Sequence, residues 1–268
     1  MEELRISLIQ TELYWHNAPA NREMFGEKIS ALKGSSDLAV LPEVFSSGFS
    51  NDAKSASEND SAATLEWMKT TAGTSGVAIC GSVVHRLEQG YRNRLYFVCP
   101  DGTTHHYDKV HLFRMAGEHK KYQPGDNRLV IEFLGWKILL TVCYDLRFPV
   151  FMRNRVMDKQ QLEYDLMICV ANWPSPRTHA WRTLLQARAM ENLCYVAGVN
   201  RIGRDGNDLE YSGDSMLLDF KGEHLIDYPA NQAFVATDTI SKQKLNSFRE
   251  KFPAHLDADD FSIALRKC

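Results

Sequence analysis

Six short, unbroken apolar runs constrain this chain more than any other feature. They are Ile6-Ser7-Leu8-Ile9, Leu38-Ala39-Val40-Leu41, Val77-Ala78-Ile79-Cys80, Ile138 to Val142, Leu166 to Val170 and Tyr195 to Val199. Each is too short for a buried helix and too continuous for a strand with one wet face, so each reads as a strand covered on both sides. Segments of helical period lie between some of them. Asn21 to Leu32, Ala63 to Thr71 and His179 to Asn192 are the candidates, the last with an apolar face of Trp181, Leu184, Leu185, Ala189 and Met190. Strand–helix–strand order implies an α/β fold. Arg94 to Cys99 and Thr103 to Val110 flank Pro100-Asp101-Gly102 and read as a hairpin, so the sheet is expected to be mixed. Tyr211 to Leu218 and Phe234 to Asp238 are later strand candidates.

The strand ends share a character. Gln10, Glu43, Cys143, Asn172 and Asn200 each stand at or just beyond the carboxyl end of an apolar run. Functional groups of open α/β sheets gather outside those ends. One polar strand end means little, but five, with a carboxylate and a thiol among them, point to a common rim. In Leu139 to Pro149 the strand delivers Cys143 to its tip and then turns at once through Tyr144-Asp145. A thiolate there is a strong nucleophile. The plain alternative is a core cysteine, since free cysteine is among the most buried residues.

Composition narrows the function classes. The 268 residues are 44% hydrophobic and 24% charged, enough for one large core, and no repeat or low-complexity linker divides them. The expectation is one domain over residues 1–268, with a tail from about 241 packing on it or on a partner subunit. A net charge of −3 offers no nucleic-acid stripe or polybasic membrane patch. Met1-Glu2-Glu3-Leu4-Arg5 lacks a signal-peptide layout, and no apolar run approaches the roughly 20 residues of a membrane span. Cys80, Cys99, Cys143, Cys169, Cys194 and Cys268 show no disulfide-framework spacing, and apart from Cys143 most read as core fillers. A reducing cytoplasm is expected.

Attack of a cysteine on a carbonyl needs a base for the thiol proton, donors for the oxyanion and an acid for the leaving amine. None of the nine histidines sits on a motif that pairs with Cys143. A carboxylate and a lysine suffice instead. His105, His106 and His111 match no zinc spacing and are expected to pack on strand faces, so no metal or cofactor is expected.

Three blocks then occur in order: Leu41-Pro42-Glu43; Tyr107-Asp108-Lys109-Val110-His111-Leu112-Phe113; and Val142-Cys143-Tyr144-Asp145-Leu146-Arg147-Phe148-Pro149. With Val170-Ala171-Asn172-Trp173-Pro174 and Gln186 to Asn192, they resemble the signature blocks of the nitrilase, or carbon–nitrogen hydrolase, superfamily over nearly the whole chain. The resemblance implies a four-layer αββα sandwich and metal-free hydrolysis. It further implies Glu43 as general base, Lys109 as cation, Cys143 as nucleophile and Glu118, after Gly117, as the second glutamate that fixes the lysine. Tyr144 is then expected to supply an oxyanion N–H, and Asn172 and Trp173, at the next strand tip, are expected to line the pocket, with a cap on the core as the alternative for Trp173. Taken alone, Glu43 reads as a strand-end ion pair, Lys109 as a solvated lysine and Glu118 as a surface partner of Lys120 and Lys121; the motif context decides for function.

The Cys-Tyr-Asp-Leu-Arg-Phe-Pro form, the Phe45-Ser46-Ser47-Gly48-Phe49 loop and the tail Phe248 to Pro253 resemble the omega-amidase branch, including its bacterial members. That branch implies hydrolysis of the terminal amide of a small α-keto dicarboxylate monoamide, and the family commonly forms homodimers or larger assemblies. A deaminated-glutathione amidase, an N-carbamoyl amino-acid amidohydrolase and a non-catalytic homologue are the alternatives. Arg147 is open between reading a substrate carboxylate and making a structural ion pair.

Overall fold

The computed structural model describes residues 2–57, 61–157, 161–259 and 261–265. Its strands are β1 (Glu3–Gln10), β2 (Leu38–Val40), β3 (Ala78–Arg86), β4 (Tyr91–Val98), β5 (Thr104–Asp108), β6 (Val130–Phe133) and β7 (Trp136–Val142). They continue with β8 (Leu166–Ala171), β9 (Tyr195–Asn200), β10 (Ile202–Arg204), β11 (Glu210–Ser212), β12 (Met216–Leu218), β13 (His224–Asp227) and β14 (Phe234–Ser241). The helices are α1 (Ala18–Ser30), α2 (Ala53–Ser57), α3 (Ser61–Ser75), α4 (Pro149–Met152), α5 (Thr178–Asn192) and α6 (Lys242–Lys251).

Two six-stranded mixed sheets carry the fold, in the orders β14-β1-β2-β3-β4-β5 and β13-β12-β9-β8-β7-β6. The centre of each is parallel, β1-β2-β3 in one and β7-β8-β9 in the other, and the outer pairs are antiparallel. Side chains alternate as a strand requires. In the first sheet Leu4, Ile6, Leu8, Leu38, Val40, Cys80 and Phe97 point into the core shared with the second sheet. Ile9, Ala39, Leu41, Ile79 and Val98 point the other way, onto Phe25 and Ile29 of α1 and Met68 and Ala72 of α3. On the far side α5 buries Trp181, Leu185 and Ala189 against the second sheet. A Cβ at Gly198 of β9 would come within 2.4 Å of Leu185, so this close approach depends on that glycine. The order is helix, sheet, sheet, helix.

Several boundaries differ from the sequence reading. α1 begins at Ala18, because Asn17 caps it by accepting the Ala20 N–H at 3.2 Å and Pro19 fits its first turn. Met190 is 49% exposed although it was expected on the buried face of α5. The buried stripe is Trp181, Leu185 and Ala189, spaced by four, and Met190 lies one residue, about 100° around the helix, beyond it. The strand expected over Tyr211 to Leu218 is two strands in different sheets. The break is at Gly213 and Asp214, both with positive φ, where Gln10 packs on Gly213 and takes the Ser215 N–H at 2.9 Å. β14 pairs along the whole of β1, from Glu3↔Ser241 to Gln10↔Phe234. α6 follows, with Leu245 fully buried and Arg249 bonded to Asp165 at 2.9 Å, so this part of the tail lies on the second sheet. Cys268, the last residue of the expected tail, falls outside the described residues.

Candidate active site

Glu43 follows β2, Lys109 follows β5, Cys143 follows β7 and Asn172 follows β8. Glu118 opens a single 3₁₀ turn, Glu118–Lys120. Parallel strands deliver three of these groups to one end of the sandwich, and the antiparallel β4–β5 hairpin brings the lysine to the same end. Lys109 Nζ stands 3.0 Å from Glu43 Oε1 and 3.0 Å from each Glu118 oxygen. Glu43, Lys109 and Glu118 are at most 2% exposed. The surface pairing of Glu118 with Lys120 or Lys121 does not occur: its oxygens face Lys109 and the Phe113 N–H, the latter at 2.6 Å.

Burial alone would drive Lys109 toward its neutral form, but Glu118 and Glu43 override it and raise its pKa well above the ordinary lysine value. The site therefore holds an ammonium. Burial also raises Glu118, against the pull of Lys109, and Glu43 adds to the rise. Cys143 is raised well above a free thiol by burial first and by Glu43 second, with Lys109 opposing. The resting sulfur is a thiol, and reaction needs a base beside it. Its Sγ lies 3.9 Å from the Asn172 carbonyl.

The backbone is strained at two points around this cluster. Cys143 has φ +47° and Val44, directly after Glu43, has φ +41°. A β-branched residue there is a genuine outlier, and each such residue costs about 1–3 kcal/mol. Asp145 holds the first in place. Its buried carboxylate accepts the Val142 N–H at 2.9 Å, the Tyr107 hydroxyl at 2.8 Å, and the His111 N–H at 3.0 Å, with His111 Nδ1 at 2.7 Å. Val44 is held by its N–H, which donates to Ser82 Oγ at 2.8 Å. One carboxylate, that of Asp145, thus ties the segment 107–113 to the segment 142–149. His111 belongs to this brace and stacks on Phe148 at 3.8 Å, while His106 leans on Tyr96. Among the described residues no group of three or more His, Cys, Asp or Glu is placed to hold a metal ion.

The remaining candidates divide. Asn172 binds Glu43 twice, by its N–H to Oε2 at 2.7 Å and by its amide to the Glu43 carbonyl. Trp173 is 3% exposed, and both of its N–H groups are bonded within the protein, to Asn200 Oδ1 at 2.8 Å and the Arg177 carbonyl at 2.9 Å. It offers a ligand only its ring. Tyr144 packs its ring between Phe113 and Phe148. Arg147 makes no ion pair among the described residues; its guanidinium lies 4.9 Å over the Trp173 ring. Of the expected rim, Asn200 braces Trp173 from behind, and Gln10 reaches the same brace through Ser215. Cys80, Cys99, Cys169 and Cys194 are buried and free.

Sequence reasoning missed Asn93. It lies in β4, is 1% exposed, and donates its side-chain amide to Glu43 Oε1 at 2.7 Å, while its main-chain carbonyl accepts the Lys109 main-chain N–H at 3.0 Å. A carboxylate can only accept, so the orientation of this amide is forced. The available signal was an asparagine inside a strand, where that residue is depleted.

The chain is similar to known proteins over nearly its whole length. The carbon–nitrogen hydrolase family profile matches residues 5–250. Omega-amidase YafV of Escherichia coli (strain K12) is 45% identical over 98% of this chain and 100% of its own length. The 2-oxoglutaramate amidase of Bacillus subtilis is 31% identical over 94% of this chain and 96% of its own. A CN-hydrolase superfamily protein from Xanthomonas campestris, whose crystal structure has an arsenic adduct in the active site, is 50% identical and superposes with a TM-score of 0.95 over 98% of this chain and 100% of that one. With the two mixed sheets, the buried Glu–Lys–Glu cluster and the strained cysteine elbow, these similarities place the chain in the carbon–nitrogen hydrolase family.

Proposed function

We propose that this enzyme is an omega-amidase, which hydrolyses the terminal amide of a small α-keto dicarboxylate monoamide to the keto acid and ammonia. The observation that carries the reading is the ammonium of Lys109 gripped by Glu43 and Glu118 beside the Cys143 thiol. Full-length similarity to proteins named for omega-amide and 2-oxoglutaramate hydrolysis supports the substrate class.

Glu43 takes the thiol proton as Cys143 attacks the amide carbonyl. Lys109 and the Tyr144 N–H stabilise the oxyanion. Glu43 returns the proton to the nitrogen, and ammonia leaves a thioester on Cys143. Glu43 then deprotonates a water that attacks the thioester, and the acid departs as the thiol is reprotonated. Glu118 fixes Lys109, and Asn172 with the Trp173 ring walls the acyl group.

Ammonia release measured side by side tests the substrate. α-Ketoglutaramate should exceed deaminated glutathione and an N-carbamoyl amino acid in kcat/KM. A preference for either of the latter would reassign the enzyme within its family. The same assay tests the chemistry, since carboxylate, ammonium and thiol perform every step. Exhaustive chelation is expected to leave the rate unchanged, and activity lost to chelation and restored by zinc would direct attention to the histidines.

Asn93 is a positioning residue in this scheme. Asn93→Ala should lower kcat about 10–100-fold, the worth of a hydrogen bond to a charged group, with KM little changed. A KM that rises as much as kcat falls would leave Asn93 a packing role only.

The chain is further proposed to act as one domain in a reducing cytoplasm, in keeping with its free cysteines and with the absence of a helix long and apolar enough to cross a membrane among the described residues. Phe252, Leu256 and Phe261 stand exposed on the tail, which supports assembly as a homodimer or larger.

A further inference from the structure

We propose that Arg177 reads the free carboxylate of the substrate at the mouth of the cleft, an assignment that rests on the omega-amidase reading above. The interior of the site repels that carboxylate. Glu43 and Glu118 set two carboxylates against the single ammonium of Lys109 in a buried cluster. An anionic monoamide must therefore enter amide first and leave its charged end outside, where a cation is needed.

Arginines elsewhere in the fold are mostly matched with acids. Arg92 and Arg94 share Asp108, Arg182 binds Asp214 and Asp227, Arg188 binds Glu191 and Arg249 binds Asp165. Arg177 is part-buried and has no carboxylate in ion-pair reach among the described residues. Its guanidinium lies 5.2 Å from the centre of the Phe113 ring. That ring is 5.0 Å from the ring of Tyr144, the residue after the nucleophile, and the Phe113 N–H holds Glu118. The main chain of Arg177 is anchored on both sides. Its N–H donates to the Pro174 carbonyl at 3.0 Å and its carbonyl accepts the Trp173 indole N–H at 2.9 Å.

Stacking occupies the face of a guanidinium and leaves its edge free. The edge carries N–H donors in the fork that matches a carboxylate. Arg177 is thus a part-buried cation over Phe113, one ring contact from Tyr144, and its side chain has no ion pair or hydrogen bond among the described residues. Arg147 is also unpaired, on the Trp173 ring, but it is exposed and its charge is screened by water. It lies over the ring that walls the acyl group and is the competing reader of the carboxylate, so Arg147→Ala stands beside Arg177→Ala in the test.

The test compares a five-carbon dicarboxylate monoamide with a neutral amide of equal length, in wild type, Arg177→Ala, Arg177→Lys and Arg147→Ala. Arg177→Ala is expected to raise KM for the carboxylated amide about 10–100-fold while kcat stays within about threefold. The neutral amide should be hydrolysed as by wild type, and Arg177→Lys should recover only part of the loss, since lysine lacks the fork. Equal losses on both substrates, or a selective loss in Arg147→Ala alone, would overturn the assignment. Should wild type not turn over the carboxylated amide, the omega-amidase reading fails, and Arg177 is judged by protection of Cys143 from iodoacetamide with that same unreacted monoamide, whose inner end is neutral. Protection in wild type that is lost in Arg177→Ala supports the site. Equal protection in both, or none in wild type, refutes it.

Discussion

Cys143→Ser is expected to abolish ammonia release while leaving the fold intact. The substitution removes little bulk, and the left-handed elbow is held by Asp145 through Val142, Tyr107 and His111 rather than through the sulfur. The chemistry, by contrast, has no substitute. Even the raised thiol of Cys143 is a better nucleophile than an alcohol, which Glu43 has no means to ionise to a useful extent. The measurement is ammonia release with unfolding followed in parallel, and the complement is mass spectrometry of wild type quenched during turnover. An acyl adduct should appear on Cys143 and vanish in the variant. Residual activity in a fully folded Cys143→Ser protein would remove the nucleophile from the proposal.

The second large effect separates the two glutamates. Every group that contacts the Glu43 oxygens is a donor: Lys109 Nζ and Asn93 Nδ2 on Oε1, the Asn172 N–H on Oε2. A glutamine there must turn its own NH₂ onto a donor, whichever way it is placed, so Glu43→Gln loses both the proton acceptor and its anchoring. General acid–base terms are worth about 100–10,000-fold, and both acylation and thioester hydrolysis should fall toward the upper part of that range. Glu118→Gln has a way out. Its oxygen can keep Lys109 and the Phe113 N–H on one side, and only the second contact to Lys109 is lost on the other. A fall of about 10–100-fold is expected, the size of a weakened oxyanion donor rather than of a missing base. Single-turnover rates of each half-reaction compare the two. Equal damage in both steps would make Glu118 a full participant in proton transfer.

The sequence was legible where one chemical rule operates along a short stretch. Continuous apolar runs become doubly covered strands because backbone polarity and apolar side chains are both satisfied only inside a sheet, so all six were placed. The ordered blocks around Glu43, Lys109 and Cys143 resembled one family closely enough to imply its layers, and the full-length relatives and the two mixed sheets agree with that. Elements without such a signal were missed. β13 alternates weakly at the edge of its sheet, and α6 is polar along most of its length. Tyr211 to Leu218 read as one strand because the hydrogen bond that splits it comes from Gln10, some two hundred residues away.

By itself the sequence determined the fold class, the family and the groups gathered at the strand ends, since strand polarity sends every residue that follows a parallel strand to the same edge. It did not determine what those groups touch. That Glu43 is held by Asn93, that Glu118 faces Lys109 rather than Lys120 or Lys121, that Asp145 joins two blocks and that Arg177 lies over Phe113 were decided only by tertiary structure. Each depends on distances of about 3–5 Å between segments far apart in the chain. Such distances follow from how two sheets twist and stack, and no local propensity carries that information.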